Sequence, residues 1–343
     1  MAARVVLHVG AMKSGTSYIQ NRLFANQEVL RDQGVLVPGR SWRDQVLAVT
    51  DVLEHKRVGP VSAEGKWQWL LDEAAAWPGT VVVSMEYLGP IGQEKIRKVV
   101  DSFPDVDLHV VMTVRDLNRN IPAMWQETVQ NFRVWTWKEH LDGVRGWPEE
   151  HNPPGDNFWR QQDTPAMAGR WAEAVGPQSL TLVTVPHPGA DSDVLWHRFC
   201  SVAGIDGDAC APIPRTNEAL GAASTLVMRR LNELLRESGL AWKDYSVLVK
   251  FGLAKAGLAL HKGEEPALGF PVPRWVKRRS KEMIERFEAL GVRVEGDLAE
   301  LKPVPVAGTD PSSVSEREQL EAALVGLREI VRLWVADRER RPE

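Results

Sequence analysis

The residues with the clearest chemical potential lie together in Gly10-Ala11-Met12-Lys13-Ser14-Gly15-Thr16-Ser17. Small residues let successive backbone N–H groups converge on one point, and a helix starting at Thr16 would add the partial positive charge of its N-terminus. Ser14, Thr16 and Ser17 offer hydroxyl donors, and Lys13 supplies a full charge. This combination predicts a nest for a phosphate-like anion. A plain tight turn is the bland alternative, but it explains neither the lysine nor the hydroxyls. In the standard nucleotide-binding P-loop the lysine follows the last glycine and a magnesium-binding Ser or Thr follows the lysine. Here Lys13 precedes Ser14-Gly15-Thr16, which argues against a kinase using ATP and Mg²⁺.

Further candidates stand at the ends of apolar runs. Arg115 closes Asp107–Val114 and Glu86 follows Thr80–Met85. In an open parallel sheet, ligands collect at the carboxyl ends of the strands. A guanidinium there suits a second phosphate, and Arg119, one turn further on, could share that task. Arg115 could equally salt-bridge Asp116 or cap a helix. A carboxylate at the same edge could act as general base toward an acceptor hydroxyl, or simply anchor a loop. His8, two residues before the loop, is the competing base; within a strand it could equally be a hydrogen-bonded core residue.

Taken together, these segments resemble the PAPS-dependent sulfotransferase superfamily (PAPS, 3'-phosphoadenosine 5'-phosphosulfate), including its bacterial, actinobacterial-type members. His8-Val9-Gly10-Ala11-Met12-Lys13-Ser14-Gly15-Thr16-Ser17 is similar to the family's loop after the first strand, with Met12 where proline is more usual. The resemblance implies a P-loop-like sulfotransferase fold and a loop, Gly10 to Ser17, that grips the 5'-phosphosulfate. It also implies that Lys13 stabilises charge on the leaving nucleotide. It assigns Arg115 to the 3'-phosphate of PAPS, with a serine eight residues later; here that position is Ala123. Ser84-Met85-Glu86 resembles the strand end that carries the proposed base in carbohydrate sulfotransferases. Arg215 and Asn217 fall where a basic lid covers the adenosine, although Asn217 could as well be a helix N-cap. Gly296–Pro303 resembles a C-terminal segment of the actinobacterial-type members. The activity implied is transfer of a sulfuryl group from PAPS, without a metal, to a hydroxyl or amine of a small-molecule or carbohydrate acceptor. Adenosine 3',5'-bisphosphate would be the coproduct. A P-loop-type kinase and a non-catalytic nucleotide-binding protein are the alternatives.

The elements that must hold these residues follow from hydrophobic periodicity. Apolar runs alternate with helical patterns through the first half, the signature of βαβ units. Strands are predicted at Arg4–Val9, Thr80–Met85, Asp107–Val114 and Ser179–Val185. Helices are predicted at Thr16–Arg31, Gln93–Phe103, Asp116–Phe132, Thr164–Val175 and Asp191–Ala203, with a polar, Trp-bearing helical stretch over roughly Trp42–Trp77. A Trp-, Pro- and Gly-rich segment, 134–160, reads as irregular or as short helices. Beyond Pro214 the pattern turns helical: Glu218–Glu237, Arg274–Leu290 and Ser313–Arg338. Ser313 and Glu316 are placed to form a capping box. The expectation is an α/β fold, a parallel sheet flanked by helices with a mostly helical C-terminal portion. Its core would be 1–210, with 211–343 packed upon it. Leu320, Leu324, Leu327, Val331 and Trp334 form an apolar stripe that packs on the body of the protein or, alternatively, pairs in a homodimer. The basic run Arg274, Lys277, Arg278, Arg279 and Lys281 reads as a solvated face, or with Trp275 as the mouth of an acceptor site.

Composition bounds these readings. The 343 residues carry a formal charge of −4, so an anion site must be a local pocket and nucleic acid is an unsuitable partner. Cys200 and Cys210 fit no zinc or redox spacing, which points to a reducing, cytoplasmic setting. No apolar run approaches the ~18 residues of a membrane span. The 14 tryptophans suit a large core, with some left over for an aromatic pocket.

Overall fold

A computed structural model describes residues 2–55, 57–59, 61–191, 193–214 and 219–340. Arg215 and Asn217 lie outside the described residues. The chain forms two compact units. The first comprises Met1–Leu117, Arg160–Arg215 and Arg274–Pro303, and the second Asn118–Trp159, Thr216–Pro273 and Val304–Glu343. The segment 118–159 therefore groups with the C-terminal helices, and the segment Arg274–Pro303 returns to the first unit.

The first unit is built on six strands: β1 (Arg4–His8), β2 (Val35–Leu36), β5 (Thr80–Ser84), β6 (Asp107–Val114), β7 (Leu180–Thr184) and β8 (Arg293–Glu295). Their order is β2-β5-β1-β6-β7-β8, and every neighbouring pair is parallel. The expected α/β class, a parallel sheet flanked by helices, is what the chain adopts. Two edge strands, β2 and β8, escape sequence reading because runs of two or three residues carry no periodicity. Both sheet faces are covered, so the strands are apolar on each side. Val5, Leu7, Val81, Val83, Val110 and Met112 point into one core. Val6, Val82, Val111 and Val183 point into the other.

The helices of this unit are α1 (Thr16–Ala25), α2 (Gln27–Asp32), α3 (Trp42–Val52), α4 (Lys66–Ala76), α5 (Gln93–Asp101), α9 (Thr164–Val175), α10 (Val194–Ala203) and α13 (Arg274–Leu290). The helix expected over Thr16–Arg31 is broken at Asn26. The Asn26 side-chain amide donates to the Arg22 and Ala211 carbonyls, and its oxygen accepts from the Ala211 N–H. This side-chain bonding, chiefly to the distant Ala211, takes the place of a helical turn. The helical stretch expected from 42 to 77 is interrupted by an antiparallel ribbon, β3 (Arg57–Val58) with β4 (Val61–Ser62). Glu54, left-handed at φ 67, ends the preceding helix. On α13, Arg278 and Arg279 pair with Glu282 and Lys281 with Glu285, so the basic run is the solvated face.

The second unit is helical: α6 (Leu117–Gln130) after its first residue, α7 (Trp137–Gly146), α8 (Pro153–Gln162) up to Trp159, α11 (Ala222–Glu237), the turn α12 (Trp242–Asp244) and α14 (Glu316–Arg340). A π-helical segment, Tyr245–Lys255, follows α12. The tryptophan-rich stretch is ordered by a capping box, Thr136 with Glu139. The box expected from Ser313 and Glu316 is formed instead by Ser315 and Glu318, two residues later. Ser313 ends a separate 3-10 turn capped by Asp310. The stripe on α14 does not pack on the body: Leu320, Leu324, Leu327, Val331 and Trp334 are 56–75% exposed. Trp125, Trp171 and Trp196 are fully buried in their respective units. Among the described residues, no helix is long and apolar enough to cross a membrane.

Candidate functional site

The order β5-β1-β6 makes β1 the point from which the sheet is wound in two directions. The loop after β1 therefore leaves between the carboxyl ends of two neighbours, where open α/β sheets bind ligands. It is shaped by positive φ at Gly10 (41°), Lys13 (64°) and Gly15 (84°). At Gly10 a Cβ would stand 2.2 Å from Thr16 Cγ2, and at Gly15 2.4 Å from Leu195 Cδ2. Only glycine fits either place. Lys13 holds the left-handed conformation despite its side chain, a cost that surrounding bonds must offset.

Those bonds are specific. Arg115 Nη1 donates to the Lys13 carbonyl at 3.0 Å, and Gln162 Nε2 to the Met12 carbonyl at 2.9 Å. Side chains thus hold two of the loop's carbonyls. The first turn of α1 adds the N–H groups of Thr16 and Ser17, which precede the first helical bonds made to the Gly15 carbonyl by Tyr18 and Ile19. The helix itself is fixed by Arg22, which pairs with Asp193 at 3.0 Å and lies 4.7 Å over the Trp196 ring.

Below the loop lies a buried polar layer. On the face toward α1 and α10 an apolar side chain is followed by a polar one at the strand end: Val6 by His8, Val82 by Ser84 and Val111 by Thr113. His8 Nδ1 is 2.7 Å from Ser84 Oγ and its Nε2 is 3.2 Å from Thr113 Oγ1. Thr113 Oγ1 continues to Ser14 Oγ at 2.7 Å, and Ser14 Oγ donates to the Ala11 carbonyl at 2.5 Å. Ser84 is in turn held through its backbone N–H by Gln45 at 2.9 Å. His8 is fully buried, and desolvation pushes its pKa down to about 3. Its ring is neutral at ordinary pH, bonded on both nitrogens. The Ser14 hydroxyl faces this interior layer rather than the loop's open side.

Glu86 opens a 3-10 turn directly after β5 and Met85 and is half-buried. Gln20, buried on α1, donates to Glu86 Oε2 at 2.8 Å and to the Ser84 carbonyl at 3.1 Å. The loop, Arg115, His8 and Glu86 thus share one edge of the sheet. Lys13 and Arg115 are half-buried, Ser17 is exposed, and Thr16 is buried. Arg119 and Ala123 lie on α6 in the second unit. Sequence reasoning passed over Gln20, Gln45, Thr113 and Gln162. The available signal was a polar residue at a position where the period called for an apolar one, at Gln20 and Thr113 above all.

Among the described residues, no group of three or more His, Cys, Asp or Glu is gathered as metal ligands would be. Cys200 and Cys210 are buried free thiols, and burial raises the pKa of both. No protein-family model and no curated protein matches the chain. Among solved structures, the chain is similar to a sulfotransferase from Alicyclobacillus acidocaldarius at 15% identity and a TM-score of 0.43. The likeness covers 71% of this chain and 95% of that one.

Proposed function

We propose that the first unit binds PAPS at the Gly10–Ser17 loop and transfers its sulfuryl group to a hydroxyl or amine of a small-molecule or carbohydrate acceptor. One observation carries the reading: α1 starts directly after the Gly10–Gly15 turn and, through Gln20, also holds Glu86. An anion site and a candidate base are thereby fixed to one rigid element.

The residues present fit an anionic donor. The loop's left-handed glycines leave room for close backbone approach, and Lys13 with the α1 N-terminus supplies positive charge where negative charge develops. Arg115, tied to the loop, is the residue for a second phosphate. Bound PAPS would supply the activated sulfur–oxygen bond to phosphate. Glu86 accepts the proton of the attacking hydroxyl as the acceptor oxygen bonds to sulfur. The electron pair of the broken sulfur–oxygen bond leaves on the nucleotide phosphate, where Lys13 offsets its charge. His8, sealed from solvent and bonded on both sides, keeps the strand ends in register and takes no proton.

The test is direct. Titration calorimetry should show adenosine 3',5'-bisphosphate binding to the pure protein, lost in Lys13→Ala. Incubation with PAPS and a metabolite extract should yield products heavier by one sulfuryl group. Absence of bisphosphate binding sinks the proposal; Mg²⁺-dependent ATP consumption would replace it with a kinase, and bisphosphate binding without turnover across a broad acceptor panel with a non-catalytic nucleotide-binding role.

A further inference from the structure

The two faces of α14 are used in an unexpected way. Its inward face is lined by small or charged residues: Ala322, Gly326 and Glu329. A Cβ at Gly326 would lie 3.2 Å from Leu253 Cδ1, so the helix seats closely on the π-helical segment. Glu329 is nearly buried and bonded by Arg332 and His261. The large apolar residues are on the other side. Leu320, Leu324, Leu327, Val331 and Trp334 point to solvent, flanked by Ile330 and Val335, also exposed.

The stripe has a period of its own. Successive steps of four, three, four and three residues average 3.5, the repeat of a left-handed coiled coil rather than the 3.6 of a helix lying on a globular body. Such a seam requires another helix with the same repeat, and a second copy supplies it. The flanking charges choose the direction. The first half of the helix sets Glu316, Glu318 and Glu321 against Arg317, a net negative charge, while the second sets Arg328, Arg332, Arg338 and Arg340 against Glu329, Asp337 and Glu339, a net positive one. Parallel pairing would set Glu316 of one copy against Glu321 of the other, twice. Antiparallel pairing sets Glu321 near Arg328 of the partner and brings Arg317 onto the face of the partner's Trp334, a favourable cation–π arrangement.

We infer that the chain forms a homodimer through α14, antiparallel, with Leu324 opposite the partner's Leu327 and Leu320 opposite the partner's Val331. The pairing is self-complementary, as a two-fold interface must be. It buries side chains that a monomer would leave as a contiguous apolar strip.

Sedimentation of the full chain at micromolar concentration should give twice the monomer mass of 38.3 kDa. Leu324→Glu with Leu327→Glu should give the monomer mass with an unchanged circular dichroism spectrum, because neither side chain is part of the core. Arg328→Glu should weaken the dimer about tenfold, and adding Glu321→Arg should restore it. Orientation is read by cysteine pairs. Leu320→Cys co-expressed with Val331→Cys should form a disulfide between copies, while each alone should not, and both native thiols are buried. A monomeric wild type, including one that binds lipid vesicles through this face, overturns the inference. So does a dimer that survives the double glutamate variant. Self-cross-linking of the single cysteine variants overturns the antiparallel arrangement.

Discussion

Gln20 Nε2 stands 2.8 Å from Glu86 Oε2 while also donating to the carbonyl of Ser84. The amide spans from the helix that follows the Gly10–Gly15 turn to the end of a different strand. It fixes where the carboxylate lies relative to that turn.

Gln20→Ala should therefore lower kcat while leaving the bisphosphate Kd unchanged. A loss of about tenfold is expected, against roughly 10²–10⁴-fold for Glu86→Gln, the range of a general base. Single-turnover kinetics and calorimetry on the same samples separate the two effects. An equal fall in nucleotide affinity would show that Gln20 acts on the loop rather than on Glu86.

Gly10→Ala should abolish anion binding. The new Cβ would meet Thr16 Cγ2 at 2.2 Å in a backbone of φ 41°. The loop has to open to admit it, at a cost of about 1–3 kcal/mol. Chemical denaturation measures the cost, and calorimetry the lost binding. Gly92→Ala, in open space and at negative φ, is the matched control and should change neither.

Thr113→Val should uncouple the loop from the sheet. Its hydroxyl lies between His8 and Ser14, both fully buried, and an apolar replacement leaves each short of a partner. A loss of about 1–3 kcal/mol in stability is expected, the cost of leaving a buried polar group unsatisfied. Urea unfolding detects it, and a change of less than a few tenths of a kcal/mol would contradict the network.

Acidification should destabilise the protein through its buried histidines. Desolvation holds His8 at about 3 and His140 at about 4, the latter partly opposed by its bond to the Ile121 carbonyl. An unfolded chain binds these protons near pH 6.5, whereas the native state refuses them until much lower. Stability is then lost as the pH falls through the unfolded value, by about 1.4 kcal/mol for each histidine between about pH 7.5 and 5.5. His261, raised by its bond to Glu264, works in the opposite sense. The difference between wild type and His8→Asn isolates one group: the variant should lose about one proton's worth of pH dependence in denaturation experiments.

Much of this was legible in the residues themselves. Asp107–Val114 and Thr164–Val175 appear within the bounds their periodicity predicts, since long apolar alternation and an Asp163 cap with a following proline leave little choice. Gly10 and Gly15 declared the loop, because only glycine suits a left-handed turn pressed against neighbouring side chains. Asn26 misled because its side chain breaks the helix by bonding Ala211, nearly two hundred residues away. The strand β8 was hidden because three residues gain their pairing only from β7 beside them.

The sequence by itself determined that a glycine-shaped loop carrying a lysine follows the first strand, that a parallel sheet carries it, and that a heptad stripe runs along the last helix. These depend on local order: spacing, turn chemistry and the period of apolar residues. Tertiary structure decided which polar residues meet. Gln20 reaches Glu86, Thr113 joins His8 to Ser14, and Arg115 grips the loop carbonyl only because the winding order puts β1 between β5 and β6. It also decided that the stripe of α14 faces outward, because Ala322 and Gly326 allow a closer seat than leucines would.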